Sequence, residues 1–332
     1  MSEPRPPFIA REPVDLIAVA PFLLGFHPHD SVVLLTFGAA ETFHARVDLP
    51  LDPDEQAAVV DMLAEVLSRH GVRRVALLLY TEEAWVAATF HDAAVARLLA
   101  DGVELIAVLR VGCDRFHDAG DVDDPGTPYD VRTHRFTAEQ VLEGTVVHHD
   151  RDELAATLEP VDPADARAVA EEAERVAAEL SGAPGGARID LAPHARWVQE
   201  VIRRHVRTGS PLAVPDAARL VLLVGLIEVR DVAWAEMSRP TAPAHVELWR
   251  DLVRRCPRDL LPATASLLAF AAWLSGHGAL AWCAIDRCTA VDPDYSMADC
   301  VGDLLEGAVP PSVWTPIREC DLPVFSDARR AS

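Results

Sequence analysis

The sequence predicts an α/β domain followed by an all-α domain. Continuous apolar runs alternate with helical patterns as far as about residue 160. A charged, alanine-rich helical pattern then leads into a glycine- and proline-rich segment at residues 181–186. Every pattern beyond that segment is helical. We therefore predict an α/β domain over residues 1–160, a charged helix and linker over 161–186, and a helical domain over 187–332.

The α/β domain opens with a short apolar helix over Asp15–Leu24, which Gly25 is well placed to end. A continuous apolar run over Ser31–Phe37 is typical of a fully buried strand. The alternating segment Thr42–Asp48 follows closely and predicts the strand that pairs with it as a hairpin. The start signal Asp52-Pro53 introduces the next helical pattern, which continues to His70.

Two further strands flank a second long helix. The strands are predicted over Val72–Tyr80 and Val103–Val111, and the helix between them over Glu82–Ala100. Strands separated by helices of this length predict βαβ crossovers and hence a mixed, partly parallel sheet. The polar segment Gly112–Tyr129, rich in aspartate, is predicted as a loop.

The remaining elements are all predicted helices. Short helices are expected at Thr137–Glu143 and Arg151–Leu158, before a long charged one at Asp162–Leu180. The helices predicted beyond the linker are Ala192–Arg207, Pro215–Met237, Ala244–Cys256, Pro262–Ser275, Ala279–Ala290 and Ser296–Leu305.

Charge and composition exclude several classes of function. A net charge of −22 argues against nucleic-acid partners, which require a basic surface, and against anionic membranes. All 30 basic residues are arginine, so no Walker A lysine, kinase lysine or Schiff-base lysine is available. No nucleotide motif is present, and we expect neither a cofactor nor a metal ion.

The N-terminus and the cysteines predict a cytoplasmic protein with reduced thiols. The first residues, MSEPRPPFIAREP, contain no apolar signal core. The six cysteines form no C-x-x-C pair, and five of them fall in the C-terminal third, mostly within apolar helical patterns. There we expect buried thiols that act as small hydrophobic groups.

The best candidate site is the turn Leu23–Val33 (LLGFHPHDSVV), which leads from the first helix into the first strand. In a functional interpretation, His27 is a general base oriented by Asp30, or both are metal ligands, and Ser31 is a weaker candidate for a nucleophile. In a structural interpretation, Asp30 and Ser31 cap backbone N–H groups and His27-Pro28 fixes an extended turn. The sequence favours the structural interpretation.

Three other polar clusters are weaker candidates. The run Asp121–Gly126 invites a calcium site but has proline and arginine where the loop needs ligands. Adjacent histidines at His148 and His149 would point to opposite faces of a strand and so could not share a metal. The last cluster is a basic patch in an acidic chain, made of Arg203, Arg204, His205 and Arg207. It could bind an acidic partner or a phosphate. We expect instead that these residues pair with nearby carboxylates.

The C-terminal segment resembles a tetratricopeptide repeat. It reads AAWLSGHGALA over residues 271–281 and continues to DPDYSMA over residues 292–298. Small side chains allow two helices to approach closely, and the Asp-Pro turn separates them from the next helix. A weaker echo lies at residues 245–257. The alternative is an ordinary helical bundle.

Together, these segments resemble an uncharacterised actinobacterial family, domain-of-unknown-function family 4192. The turn LLGFHPHDSVV, residues 130–144 and the AAWLSGHGALA segment match its pattern in order and spacing over most of the chain. The family often has a tryptophan and several cysteines just before Gly126, where this chain has only Cys113 nearby. A metal or redox role for such a cluster therefore does not carry over. The resemblance implies no activity.

The sequence therefore favours a non-enzymatic protein-interaction or regulatory module that binds a protein or peptide through its helical domain. Stacked helix pairs commonly present a groove for such partners. The alternative is an enzyme or small-molecule-binding protein with its site around His27 and Asp30 at the edge of the sheet.

Overall fold

The computed structural model describes residues 10–38, 43–142, 144–181 and 190–325. Its contacts divide the chain into two compact units that meet in sequence between Arg151 and Asp152. The first unit is α/β and the second is helical. No helix in the described ranges is long and apolar enough to cross a membrane.

The first unit is built on a mixed, partly parallel sheet of six strands in the order β2-β1-β3-β4-β5-β6. Among the strands in the described ranges, β3 and β4 run parallel, with α3 as their crossover, and each of the other neighbouring pairs is antiparallel. The elements of this unit are α1 (Pro13–Leu24), β1 (Ser31–Phe37), β2 (His44–Asp48), α2 (Pro53–Arg69), β3 (Arg74–Tyr80), α3 (Ala84–Ala100), β4 (Glu104–Val111), β5 (Arg115–Asp118), β6 (Thr127–Pro128) and α4 (Arg135–Leu142).

The two central strands are buried on both faces, which explains their continuous apolar sequences. In β1, Val32 and Leu34 pack with α2 and α3 on one side of the sheet. Val33 and Leu35 pack with α1 and Phe136 of α4 on the other side. Because side chains alternate along a strand, covering both faces requires an apolar residue at every position.

Local signals fix the ends of these helices. Gly25 follows α1 in the left-handed conformation, with φ at 82°, and donates its N–H to the Pro21 carbonyl. Asp52 begins α2 by accepting hydrogen bonds from the backbone N–H groups of Asp54 and Glu55. Both features agree with the sequence analysis.

The predicted loop at residues 112–129 contains two short strands, which corrects the sequence analysis. Arg115–Asp118 pairs antiparallel with β4, and Thr127–Pro128 pairs with Arg115–Asp118 in turn. These strands are polar and largely exposed, so they carry no apolar alternation. Backbone pairing along the edge of β4 defines them instead.

The second unit is a set of helices around α11. All fourteen residues of α11 are buried, and it packs against α10, α12 and α13. The helices of this unit are α5 (Arg151–Ala156, which begins at the boundary), α6 (Pro163–Ser181), α7 (Ala192–Thr208), α8 (Val214–Leu223), α9 (Ile227–Ala235), α10 (Ala242–Arg255), α11 (Leu261–Leu274), α12 (Gly278–Thr289) and α13 (Ser296–Glu306).

Two features of the helical unit differ from the sequence analysis. The single helix predicted over Pro215–Met237 is broken into α8 and α9 by a turn at residues 224–226; Gly225 in this turn is a stop signal that the apolar pattern around it obscured. The charged helix predicted as part of a linker is α6, which buries Val169, Ala173 and Val176 and packs against α8 and α10. Residues 182–186 of the predicted linker lie outside the described ranges, as do Thr42 and Glu143.

A buried carboxylate ties α1 to the chain leading into α4. Asp15 is 6% exposed and accepts hydrogen bonds from the backbone N–H groups of Arg11 and Glu12. Its other oxygen accepts from His134 Nε2 at 3.0 Å. Burial alone would raise the pKa of Asp15, but the two backbone hydrogen bonds and the charges of Arg135 and His134 outweigh it and lower the pKa below 3.8.

We predict that Asp15→Ala lowers the free energy of unfolding by about 2 kcal/mol at pH 7, because four donors lose a charged acceptor: the two backbone N–H groups, His134 Nε2 and, at 3.5 Å, Arg135 Nη2. The folded pKa of Asp15 lies below its unfolded value. Its contribution is therefore complete above about pH 5 and disappears as the pH falls through the folded pKa. Urea denaturation at pH 7 and at pH 3 measures both effects.

The matched control is Asp54→Ala, which removes an exposed carboxylate from the first turn of α2. It should change the unfolding free energy by no more than about 0.5 kcal/mol. Equal losses in the two variants would show that Asp15 adds nothing beyond an ordinary helix-end charge.

Candidate functional site

The turn that carries His27, Asp30 and Ser31 lies at the edge of the sheet where the parallel strands end. Ser31 opens β1 opposite Tyr80, the last residue of β3, and Tyr80 lies opposite Val111, the last residue of β4. In α/β proteins, ligand sites commonly lie at the carboxyl ends of parallel strands. The turn is therefore placed where a site would be expected.

The polar groups of this turn are largely engaged in holding it together. The fully buried Ser31 hydroxyl donates to the His29 carbonyl and accepts from Arg46 Nε at 2.8 Å. Asp30 has a left-handed backbone with φ at 44°, and its carbonyl accepts from the Leu49 N–H at 2.9 Å. A hydroxyl with both roles occupied is not available as a nucleophile.

The backbone on the other side of the turn is tied to residue 148. The His27 N–H donates to the His148 carbonyl at 3.0 Å, and the His148 N–H donates to the Gly25 carbonyl at 2.9 Å. These two bonds form a short parallel bridge between Phe26 and His148. They hold the turn through its backbone, whereas the structural interpretation expected the side chains of Asp30 and Ser31 to cap backbone N–H groups; among the described residues, no hydrogen bond of that kind is seen.

His27 has imidazole neighbours rather than a carboxylate partner. The side chains of His27 and Asp30 are exposed, and no hydrogen bond joins them among the described residues. Partial desolvation, followed by the charges of His29 and His149, lowers the pKa of His27 below 6.5. The rings of His29 and His149 stack with centroids 5.9 Å apart. A neutral His27 could accept a proton, but no carboxylate orients it as in a catalytic pair.

Three further polar residues at this edge escaped the sequence analysis. The buried Tyr80 hydroxyl has no hydrogen-bond partner within the described ranges, and burial raises the pKa of Tyr80. Glu82 accepts a hydrogen bond from the Cys113 N–H at 2.9 Å. The Glu82 carboxylate also raises the pKa of the Cys113 thiol, which makes this cysteine a poor nucleophile at neutral pH. Their only signal in the sequence was their position at or just after the ends of the predicted strands Val72–Tyr80 and Val103–Val111.

The acidic run at residues 121–126 is a set of local turns. Asp124 accepts hydrogen bonds from the N–H groups of Gly126 at 2.9 Å and Asp118 at 2.6 Å, which lower the pKa of Asp124. Asp121 accepts from the Asp123 N–H at 3.0 Å. Within the described part of the chain, no three His, Cys, Asp or Glu side chains are grouped so as to hold a metal ion.

The cysteines divide between core and surface. Cys283 and Cys288 are buried, and burial raises the pKa of Cys288 to about 12. Cys256 is partly buried. Cys300, which we expected to be buried because it lies in a helical pattern, is exposed, as is Cys320 beyond the last predicted helix. Cys300 lies on the outer face of an amphipathic helix, so its apolar neighbours in sequence are not its neighbours in space.

The predicted basic patch lies on α7 and separates into paired, buried and open members. Arg203 forms a two-pronged ion pair with Glu236 at 2.6 and 2.7 Å, and Arg204 pairs with Asp216 at 2.5 Å. His205 is buried, with Nδ1 hydrogen-bonded to the Ser210 carbonyl at 2.9 Å. Arg207 is exposed and has no ion-pair partner among the described residues.

Two adjoining depressions lie along α7. The first has a volume of about 250 Å³ and is lined by Arg196, Gln199, Glu200, Arg203, Arg207 and Glu319. The second has a volume of about 190 Å³ and lies between α7, the end of α9 and the start of α10; it is lined by Ile202, Arg203, Val206, Arg207, Glu236, Thr241 and His245. Arg203 and Arg207 border both depressions.

We predict that Ser31→Ala lowers the free energy of unfolding by about 1–2 kcal/mol, because the His29 carbonyl and Arg46 Nε lose a buried partner. Thermal or urea denaturation measures this loss. Ser68→Ala, which removes an exposed hydroxyl from α2, is the control and should leave stability nearly unchanged. An unchanged Ser31→Ala protein would contradict the structural assignment of the turn.

Comparison with known proteins identifies the family. Neither a curated protein nor a solved structure matches this chain. The model of one family, described as "Domain of unknown function (DUF4192)", matches residues 13–312, which include the turn at the sheet edge and the helices of the second unit. The chain therefore belongs to the DUF4192 family, as its resemblance in sequence implied.

Proposed function

We propose that this chain is a non-enzymatic, cytosolic protein-interaction module that binds an acidic segment of a protein partner along α7. The observation that carries the proposal is the open arginine face of this helix in a chain of net charge −22. Arg196, Arg203 and Arg207 are spaced seven and four residues apart, which places them on one face of the helix.

The dimensions of this face suit a short extended peptide. Arg196 and Arg207 are eleven residues apart in sequence, which corresponds to about 16 Å along the helix axis. An extended chain of about five residues covers that length. Arg207 is the least committed of the three, with no ion-pair partner in the described ranges. Arg196 forms a long ion pair with Glu319 at 3.7 Å and lies over the Phe325 ring, with 4.9 Å between its guanidinium carbon and the ring centroid.

Arg203 contributes rigidity to the middle of the face. Its guanidinium is fixed by both carboxylate oxygens of Glu236, and Gln199 Nε2 donates to the same carboxylate at 3.1 Å. An ion pair of this kind is close to neutral and already ordered. A partner carboxylate would therefore bind at the two ends of the face, with an ordered floor between them.

The packing of α11, α12 and α13 is compatible with a tetratricopeptide-like module. Ala281 and Ala284 of α12 are buried small residues, as close helix packing requires. Trp273 of α11 donates its indole N–H to the Val309 carbonyl at 3.0 Å. Arrays of helix pairs bind peptides on their exposed helix faces, and α7 offers such a face in this unit.

A second candidate function is small-molecule binding at the sheet edge. The buried, unpartnered Tyr80 hydroxyl and the depressed pKa of His27 favour it. In that case, Tyr80→Phe would abolish binding of the molecule while leaving the protein folded. If no small molecule binds there, Tyr80→Phe would remove a buried hydroxyl that has no partner in the described ranges. Its only effect would then be to stabilise the protein.

We predict that a dye-labelled hexaglutamate peptide binds the full-length chain and that Arg207→Ala raises its dissociation constant about threefold. The expected loss is that of one solvent-exposed ion pair, roughly 0.7 kcal/mol. Fluorescence anisotropy at 0.05 M and 0.3 M salt measures the affinity, which should fall at the higher salt.

The matched control is Arg132→Ala, which removes an exposed arginine paired with a carboxylate in the α/β unit. It should bind hexaglutamate like the unchanged protein. Because the chain is strongly acidic, nonspecific electrostatic attraction would favour binding of a cationic peptide such as hexalysine. It cannot account for binding of hexaglutamate. Failure of hexaglutamate to bind, or equal weakening in the two variants, would refute the assignment to α7.

A further inference from the structure

The C-terminal segment, residues 311–325, lies against the start of α7. Leu322 is 2% exposed and Phe325 is 3% exposed, and both belong to one apolar cluster with Ala192 and Ala195 of α7. Burial of apolar side chains stabilises the position of the backbone that carries them. The residues just before Leu322 are therefore held beside the first turns of α7.

A second anchor holds the C-terminal segment further back in the chain. Trp314 stacks on Trp234 of α9, with 5.4 Å between the ring centroids, and donates its indole N–H to the Met237 carbonyl at 2.9 Å. Glu319 lies between the two anchors, in a single turn of 3-10 helix over Glu319–Asp321. Its position beside α7 is therefore part of the fold.

From this position, the carboxylate of Glu319 reaches the arginine face of α7. Glu319 lines the first depression together with Arg196, Arg203 and Arg207. Its Oε1 atom lies 3.7 Å from Arg196 Nη1. The hydrogen bonds with Glu236 are the main cause that raises the pKa of Arg203, and the charge of Glu319 adds to this effect. A carboxylate of the chain itself thus already faces the cations that would bind an acidic partner.

The contact between Arg196 and Glu319 can compete with a partner without excluding it. The Arg196 side chain is 61% exposed and the Glu319 side chain 43% exposed, and an ion pair between exposed groups is weak. A tethered group nevertheless acts at an effective concentration on the order of millimolar. A free peptide therefore meets a competitor that reduces its affinity by a small factor.

We infer that Glu319 is an internal competitor of the acidic partner segment: its carboxylate occupies the Arg196 end of the arginine face, and the partner segment displaces it on binding. This inference rests on the proposed function, because it concerns the regulation of the same site. The Arg207 end has no ion-pair partner in the described ranges and receives the partner first. The Arg196 end opens only when Glu319 moves aside, so any change that draws the C-terminal segment away from α7 raises the affinity for the partner.

Glu319→Gln tests the competition, because it removes the charge and keeps the size of the side chain. Titration of dye-labelled hexaglutamate into the full-length protein should show about threefold tighter binding to this variant, as expected for the loss of one exposed ion pair. The matched control is Asp321→Asn, which removes the same charge from the same turn. Asp321 pairs with Arg318 at 2.7 Å and lines neither of the two depressions described above. The control should therefore bind hexaglutamate like the unchanged protein.

The outcomes separate this inference from the proposed function. Equal affinity of the unchanged protein and Glu319→Gln, or an equal gain in both variants, would overturn the competition and leave the acidic-segment proposal in place. Binding to Glu319→Gln alone would support a stronger competition at the same site. If hexaglutamate binds to none of the three proteins, the proposed function has failed and the competition fails with it.

The contact itself is observable without a peptide. In the full-length protein with 15N-labelled arginine, the Nε resonance of Arg196 should shift in Glu319→Gln and stay in place in Asp321→Asn. An Arg196 resonance that does not move in Glu319→Gln would overturn the inference, whatever the peptide does.

Discussion

The structure of the α/β unit depends on one constraint: the central strands β1 and β3 must be covered on both faces. The core positions of β1 from Val32 to Leu35, and those of β3 from Val75 to Leu79, are at most 1% exposed. A strand buried in this way needs helices above and below it and a connection that leaves no polar group unsatisfied at its first residue. Ser31, at that first residue, is fully buried, and its hydroxyl is held between the His29 carbonyl and Arg46. The conspicuous polar turn is therefore a consequence of the buried strand that follows it.

The parts of the fold that were predicted correctly are those in which local chemistry and tertiary burial agree. Three such features have one physically sensible interpretation each, and the structure confirms it. They are the buried strand at Ser31–Phe37, the glycine that ends α1 and the Asp52-Pro53 start of α2. The missed features depend on partners distant in sequence. Residues 115–118 are a strand only because β4 is beside them. The break between α8 and α9 was missed for another reason: its one stop signal, Gly225, lies inside a long apolar stretch that continues the helical pattern on both sides.

The candidate sites follow the same division. Residues adjacent in sequence, such as His27 and Asp30, stand out in a motif but have no side-chain contact with each other in the described structure. The second depression beside α7 instead combines Ile202 and Arg203 with His245, more than forty residues further along the chain. The sequence analysis singled out the arginines of α7, but nothing in the sequence places His245 beside them, because the packing of α7 against α10 decides that contact.

The absence of lysine gives the arginine face its character. Each cation in this chain is a planar guanidinium, which can grip a carboxylate with two parallel hydrogen bonds or stack on an aromatic ring. Arg203 uses the first mode with Glu236, and Arg219 uses the second with Trp197. Arg207 has both modes free within the described structure, and it borders both depressions along α7. The net charge of −22 does not prevent an acidic segment from binding there, because charges more than about 8 Å away are largely screened at physiological salt while a direct contact is not. If an acidic segment binds there as we propose, distant repulsion slows its approach, and direct contact with Arg207 has to offset that repulsion.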